Sequence, residues 1–171
     1  MNQITTQYIT DGGTCYEQYV ITDPAAGTAL TITPERGGMI TGFTLNGEEY
    51  IWIRRPNFSE CNRPRFAVPI LFPNCGMPDG GVHTFEGKDY PMEIHGLADL
   101  CSWEVESVGP DGVTLVLEST PLTKFLYPFD FTLLVTYGLQ GKTATISLTI
   151  INEGDKPMPF SFGYHPYFVA S

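Results

Sequence analysis

Basic side chains are scarce in this sequence: nine Lys and Arg stand against nineteen Asp and Glu, a formal net charge of −10. A surface of that sign repels phosphate backbones and anionic lipid over a Debye length of about 8–10 Å, which argues against nucleic acid and membrane as partners. Long apolar runs are missing too. No segment nears the roughly 18 residues of a membrane helix, and the opening MNQITTQYITDGG has neither the basic nor the apolar region of a secretion signal. The chain is therefore read as cytoplasmic. Cys15, Cys61, Cys75 and Cys101 are widely spaced, and without a CxxC pair they point to no zinc knuckle or redox motif. Free, mostly buried thiols are expected. Phosphate-loop, dinucleotide-binding, HExxH and GxSxG patterns are also lacking, which sets those common site classes aside.

What is present is strand-forming sequence. With 171 residues, 42% hydrophobic and 16% charged, the chain can bury the core of one globular domain. In FTLLVTY, Phe131, Leu133, Val135 and Tyr137 alternate with Thr132, Leu134 and Thr136; in TISLTII, Ile146, Leu148 and Ile150 alternate with Ser147 and Thr149. A period of two marks half-buried antiparallel strands. Asn46-Gly47, Glu86-Gly87, Asp111-Gly112 and Gln140-Gly141 lie between strand-like runs, where glycine accepts the positive φ of tight hairpins. Helical periodicity is almost absent, with one short turn expected around residues 92 to 100. Regular strands without intervening helices predict an all-β fold, an antiparallel sandwich or barrel. The arginine- and proline-rich section RRPNFSECNRPRFAVPILFPNCGMPDGG has little periodicity and reads as a loop excursion across a sheet face.

Candidate chemistry then rests on histidine, arginine and carboxylate. His83, beside a hairpin turn, reads as a solvated histidine. His95 lies in PMEIHGLADLCSW and His165 in FGYHPYF. A histidine among aromatics is ordinarily a packed ring, and local sequence favours that bland reading for both. Gly96 after His95 nonetheless permits close backbone approach, and Pro166 biases His165 towards extended geometry. Arg54 and Arg55 read as surface ion-pair formers in an acidic chain. Arg65, with an apolar run behind it, is the better ligand candidate, because a guanidinium fork suits vicinal hydroxyls or phosphate.

Taken in order, RPRFAVPILFPNCG, YPMEIHGLADLCSWEV and FSFGYHPYF resemble the aldose 1-epimerase (galactose mutarotase) family, over roughly residues 30 to 168. The resemblance implies a galactose mutarotase-like antiparallel β-sandwich with a sugar cleft, interconverting α and β anomers of an aldose without a cofactor. It implies that His165 is the general acid that protonates the ring oxygen and that His95 polarises the same end of the sugar. Arg65 would hold hydroxyls, and Asn74, Tyr164 and Tyr167 would line the cleft. Imidazole suits proton exchange at neutral pH because its ordinary pKa lies near 6.5.

The family's general base is a glutamate well beyond the second histidine, and the sequence stops at Ser171. Residues 1–171 are accordingly expected to form a single sandwich domain truncated at its carboxyl end, deficient in turnover and prone to self-association through uncovered strands. Two rival readings share the fold. A hexose-6-phosphate 1-epimerase is disfavoured by the net charge and by Asp99, since its relatives read HGFAR where this chain reads HGLAD. A non-catalytic carbohydrate-binding module is the other. The expected partner in each is a small sugar, and the oligomeric state stays open.

Overall fold

The computed structural model describes residues 2–53, 58–59, 63–110 and 112–170. Five strands, β1 (Gln3–Asp11), β2 (Thr14–Asp23), β3 (Thr28–Thr33), β4 (Met39–Leu45) and β5 (Glu48–Glu49), follow one another as an antiparallel meander. The short β6 (Ile70–Leu71) and the hairpin β7 (Val82–Phe85) and β8 (Lys88–Pro91) come next. A second sheet holds β9 (Glu104–Gly109), β10 (Gly112–Glu118), β11 (Phe131–Gln140) and β12 (Thr143–Asn152), with a single helical turn, α1 (Pro121–Lys124), between β10 and β11. Finally β13 (Gly163–Tyr164) returns to pair antiparallel with β6.

The alternation in the sequence decides which faces meet. Phe131, Leu133, Val135 and Tyr137 of β11 are buried while the threonines between them are half exposed. They share one core with Ile21, Leu30, Ile32 and Met39 of the first sheet and with Val113 and Leu115 of β10. Two sheets packed face to face over that core form a β-sandwich. Polar ties clamp the rim: Thr28 Oγ1 donates to the Gly141 carbonyl at 2.7 Å, and the Gly141 amide donates to Asp23 Oδ2 at 3.0 Å. Inside, the Tyr137 hydroxyl donates to the Gly38 carbonyl at 2.5 Å.

The turn chemistry behaves as its residues require. Asn46 and Gly47 (φ 52° and 83°) and Glu86 and Gly87 (φ 51° and 77°) both take positive φ in succession, the pairing that matches a two-residue hairpin to strand twist. Gly141 (φ 57°) turns β11 into β12. Asp111 of the remaining expected turn lies outside the described residues, as do Arg54, Arg55 and Cys61.

The short helical turn expected around residues 92 to 100 is present as a 3-10 turn at Ala98–Leu100, whereas the helical turn α1 has no counterpart in the sequence expectations. Its signal is the Thr120-Pro121 start: Thr120 Oγ1 accepts from the Thr123 amide while Thr123 Oγ1 accepts from the Thr120 amide, a capping box that stabilises even one turn. Contrary to expectation the thiols are not mostly buried, since Cys15 is exposed and Cys75 and Cys101 are half-buried. No helix among the described residues is long and apolar enough to cross a membrane.

Candidate active site

The site is organised by the backbone from Ala67 to Cys75, which carries β6 and serves as a rail between two other segments. On one side, the Tyr167 amide donates to the Ala67 carbonyl (2.9 Å), the His165 amide to Pro69 (3.1 Å) and the Ser161 amide to Pro73 (2.8 Å). On the other, the Leu97 and Ala98 amides both donate to the Phe72 carbonyl, at 2.8 and 3.2 Å, and Phe72 bridges Gly96 in parallel register. A hydrogen-bonding rail with partners on both edges holds its neighbours at strand spacing, about 5 Å each way. It therefore brings His165 and His95 together. Their ring centroids lie 5.5 Å apart in an edge-to-face arrangement, and Tyr167 stacks on His165 at 4.7 Å.

The two imidazoles are held differently. Tyr164, the last residue of β13, packs half-buried against the core, whereas His165, which follows the strand, is exposed. His95 is half-buried in the left-handed region at φ 70°, a conformation uncommon among non-glycine residues but one that histidine tolerates better than most. Its Nδ1 lies 2.5 Å from the Cys75 carbonyl oxygen. A carbonyl only accepts, so Nδ1 carries the proton and Nε2 is the ring's working valence, an acceptor when neutral and a donor when protonated.

Of the other residues singled out in the sequence, Arg65 is solvent-exposed on the approach to the rail. Asn74 is buried, and its Nδ2 donates to the carbonyls of Gly76 (2.6 Å) and Glu93 (3.0 Å), tying the end of the rail to the start of the His95 loop. Tyr164 packs its ring edge-on against Phe162 at 4.9 Å, and burial pushes its phenol up to about 12. Its ring is half-buried and packs against the core. His83 lies on β7, stacked with Phe85 at 5.7 Å.

Sequence reasoning missed Arg63. Its Nη1 donates to Asp99 Oδ1 at 2.5 Å and its Nη2 to the Gly96 carbonyl at 2.8 Å, with Glu93 3.6 Å away. Asp99 is completely buried; loss of water raises its carboxyl pKa, and the Arg63 charge works against that rise. The one available signal was an acid inside the apolar stretch GLADLCSW, since a carboxylate there needs a buried cation.

The family model of aldose 1-epimerase matches residues 17–171. The chain belongs to the aldose 1-epimerase family. It is 29% identical over 139 residues to the chromosomal protein LacX of Lactococcus lactis subsp. lactis, covering 77% of this chain and 45% of that protein. Among solved structures it is similar to the Slr1438 protein of Synechocystis sp. PCC 6803, at 35% identity and a TM-score of 0.85, covering 88% of this chain and 54% of that one. It is likewise similar to a galactose mutarotase related enzyme from Lactobacillus acidophilus, at 27% identity and a TM-score of 0.78, covering 88% and 48%. The chain thus spans about half the length of the relatives it matches, and the aldose 1-epimerase sandwich is the fold it shares with them.

Proposed function

We propose that His95 and His165 form the proton-transfer centre of an aldose 1-epimerase that interconverts the α and β anomers of a free aldose. The observation that carries this reading is the meeting of two imidazoles from distant segments across one strand, one of them with its tautomer imposed by the Cys75 carbonyl. Mutarotation moves protons and no other group. A base removes the anomeric hydroxyl proton as an acid delivers one to the ring oxygen; the C1–O5 bond breaks, the open aldehyde turns about C1–C2, and the reverse transfer closes the ring on its other face.

In this reading His165, exposed and backed by Tyr167, is the acid at the ring oxygen. His95 directs Nε2 at the same end of the sugar, Arg65 holds hydroxyls, and Asn74 supports the His95 loop through the Gly76 and Glu93 carbonyls. Among the described residues neither imidazole is hydrogen-bonded to a carboxylate. The general base is assigned to a glutamate in the portion of the relatives' length that this chain does not span.

The test is polarimetry of freshly dissolved α-D-glucose and α-D-galactose with the full-length protein. Acceleration well above the spontaneous rate is expected, lost in His165→Gln and strongly reduced in His95→Gln but kept in His83→Gln. Parallel assays with glucose 6-phosphate separate the free aldose from its phosphate ester. A full-length protein that binds sugar without accelerating mutarotation would leave the carbohydrate-binding reading in its place.

A further inference from the structure

Arg63 and Asp99 are more than an ion pair. We infer that they form a buried brace whose task is positional: Arg63 spans from Asp99 to the Gly96 carbonyl and so fixes the backbone that presents His95 to His165. The role rests on the proposed reading of His95, but its geometry stands separately.

Several observations converge on it. His95 and Gly96 occupy the left-handed region in succession, at φ 70° and 78°, so the direction of the His95 ring depends on how the backbone of this turn is held. Arg63 Nη2 holds it at the carbonyl immediately after His95, at 2.8 Å. Asp99 fixes the other arm of the fork at 2.5 Å, and the Asp99 main chain belongs to the 3-10 turn that follows the loop. Because a guanidinium is planar with donors in a fixed fork, tethering one arm orients the other.

The pair is also a poor choice for stability alone. Arg63 Nε and Asp99 Oδ2 are buried and have no partner among the described residues. Incompletely satisfied buried ion pairs are often matched or bettered by apolar residues of similar volume. What apolar residues cannot supply is a directed donor to the Gly96 carbonyl. Arg63 and Asp99 are therefore positioning residues, acting on the reaction only through His95.

The experiment uses the full-length protein with three variants. Arg63→Lys keeps the positive charge opposite Asp99 but loses the fork; Arg63→Met/Asp99→Leu removes both charges together; Leu133→Ala, in the core of β11, serves as a comparator that lowers stability without touching the loop. Histidine ring resonances report directly, each assigned by the signal that disappears in His83→Gln, His95→Gln or His165→Gln. In both Arg63 variants, the His95 ring resonance should shift or broaden with His83 unmoved. Where mutarotation is measurable, kcat should fall about 10–100-fold with KM changed less than about twofold, the signature of a misplaced catalytic group. Leu133→Ala should reproduce neither change.

An unmoved His95 resonance in folded Arg63→Lys would overturn the brace, as would losses that merely track stability in all three variants. If the wild-type full-length protein shows no mutarotation, the enzymatic reading falls while the resonance arm still judges the brace.

Discussion

Gly96→Ala probes the joint on which the site depends. At φ 78° the residue is left-handed, which costs a residue with a Cβ about 1–2 kcal/mol. Space is the harder constraint. A Cβ there would overlap the Phe72 carbonyl oxygen and come within 2.6 Å of the Pro73 nitrogen, both rigid backbone. The loop must move off the rail, and the atom it presses is the acceptor for the Leu97 and Ala98 amides. Losing those two bonds adds roughly 0.5–1.5 kcal/mol apiece, so the expected destabilisation is about 2–5 kcal/mol in all. Urea unfolding followed by circular dichroism measures it, with Gly76→Ala as the reference, because an added Cβ there meets nothing within 4 Å. The displaced loop should also carry the His95 ring away from Cys75. If Gly96→Ala lies within about 0.5 kcal/mol of Gly76→Ala, a typical bound for a substitution without structural consequence, the rail-and-loop reasoning is wrong.

Other expectations follow from the same geometry. Tyr137→Phe strands the buried Gly38 carbonyl and should cost about 1–3 kcal/mol by thermal or urea denaturation; a neutral effect would mean that the carbonyl finds another donor. Burial, with the Asp99 charge a second cause, pushes the Cys101 thiol up to about 11. At pH 8 its thiolate fraction, and hence its alkylation rate by iodoacetamide, should be about 100-fold below that of an ordinary thiol, while exposed Cys15 is labelled in the native state. Peptide mapping by mass spectrometry distinguishes the two, and equal labelling would refute the assignment. Residues 1–171 by themselves should leave mutarotation at its spontaneous rate, and full-rate turnover would overturn the proposed assignment of the base to a glutamate outside them.

Much of the fold was legible because it is local. The alternation in FTLLVTY is a property of seven consecutive residues, and β11 buries the side chains it marks. Asn46-Gly47 and Glu86-Gly87 each carry their own turn, since positive φ is a preference of those residues themselves. The helical turn α1 escaped because a four-residue element has no period to read, and its evidence is only the Thr120/Thr123 capping exchange. The order of the three motifs was readable too, and the structure gives it a physical meaning: PILFPNC is the rail, and the histidine segments are its two neighbours.

The sequence by itself determined an all-β fold of antiparallel strands, its hairpins and the residue types available for proton transfer, because periodicity, turn propensity and side-chain chemistry belong to short stretches of chain. Tertiary structure alone decided which of those residues meet. His95 reaches His165 through hydrogen bonds to a strand remote from both in sequence, and Tyr164 turns inward while its neighbour His165 turns out. Arg63, rather than the more prominent Arg65, supports the His95 loop because only its fork spans Asp99 and the Gly96 carbonyl. Pairings of that kind depend on long-range packing, which no local pattern records.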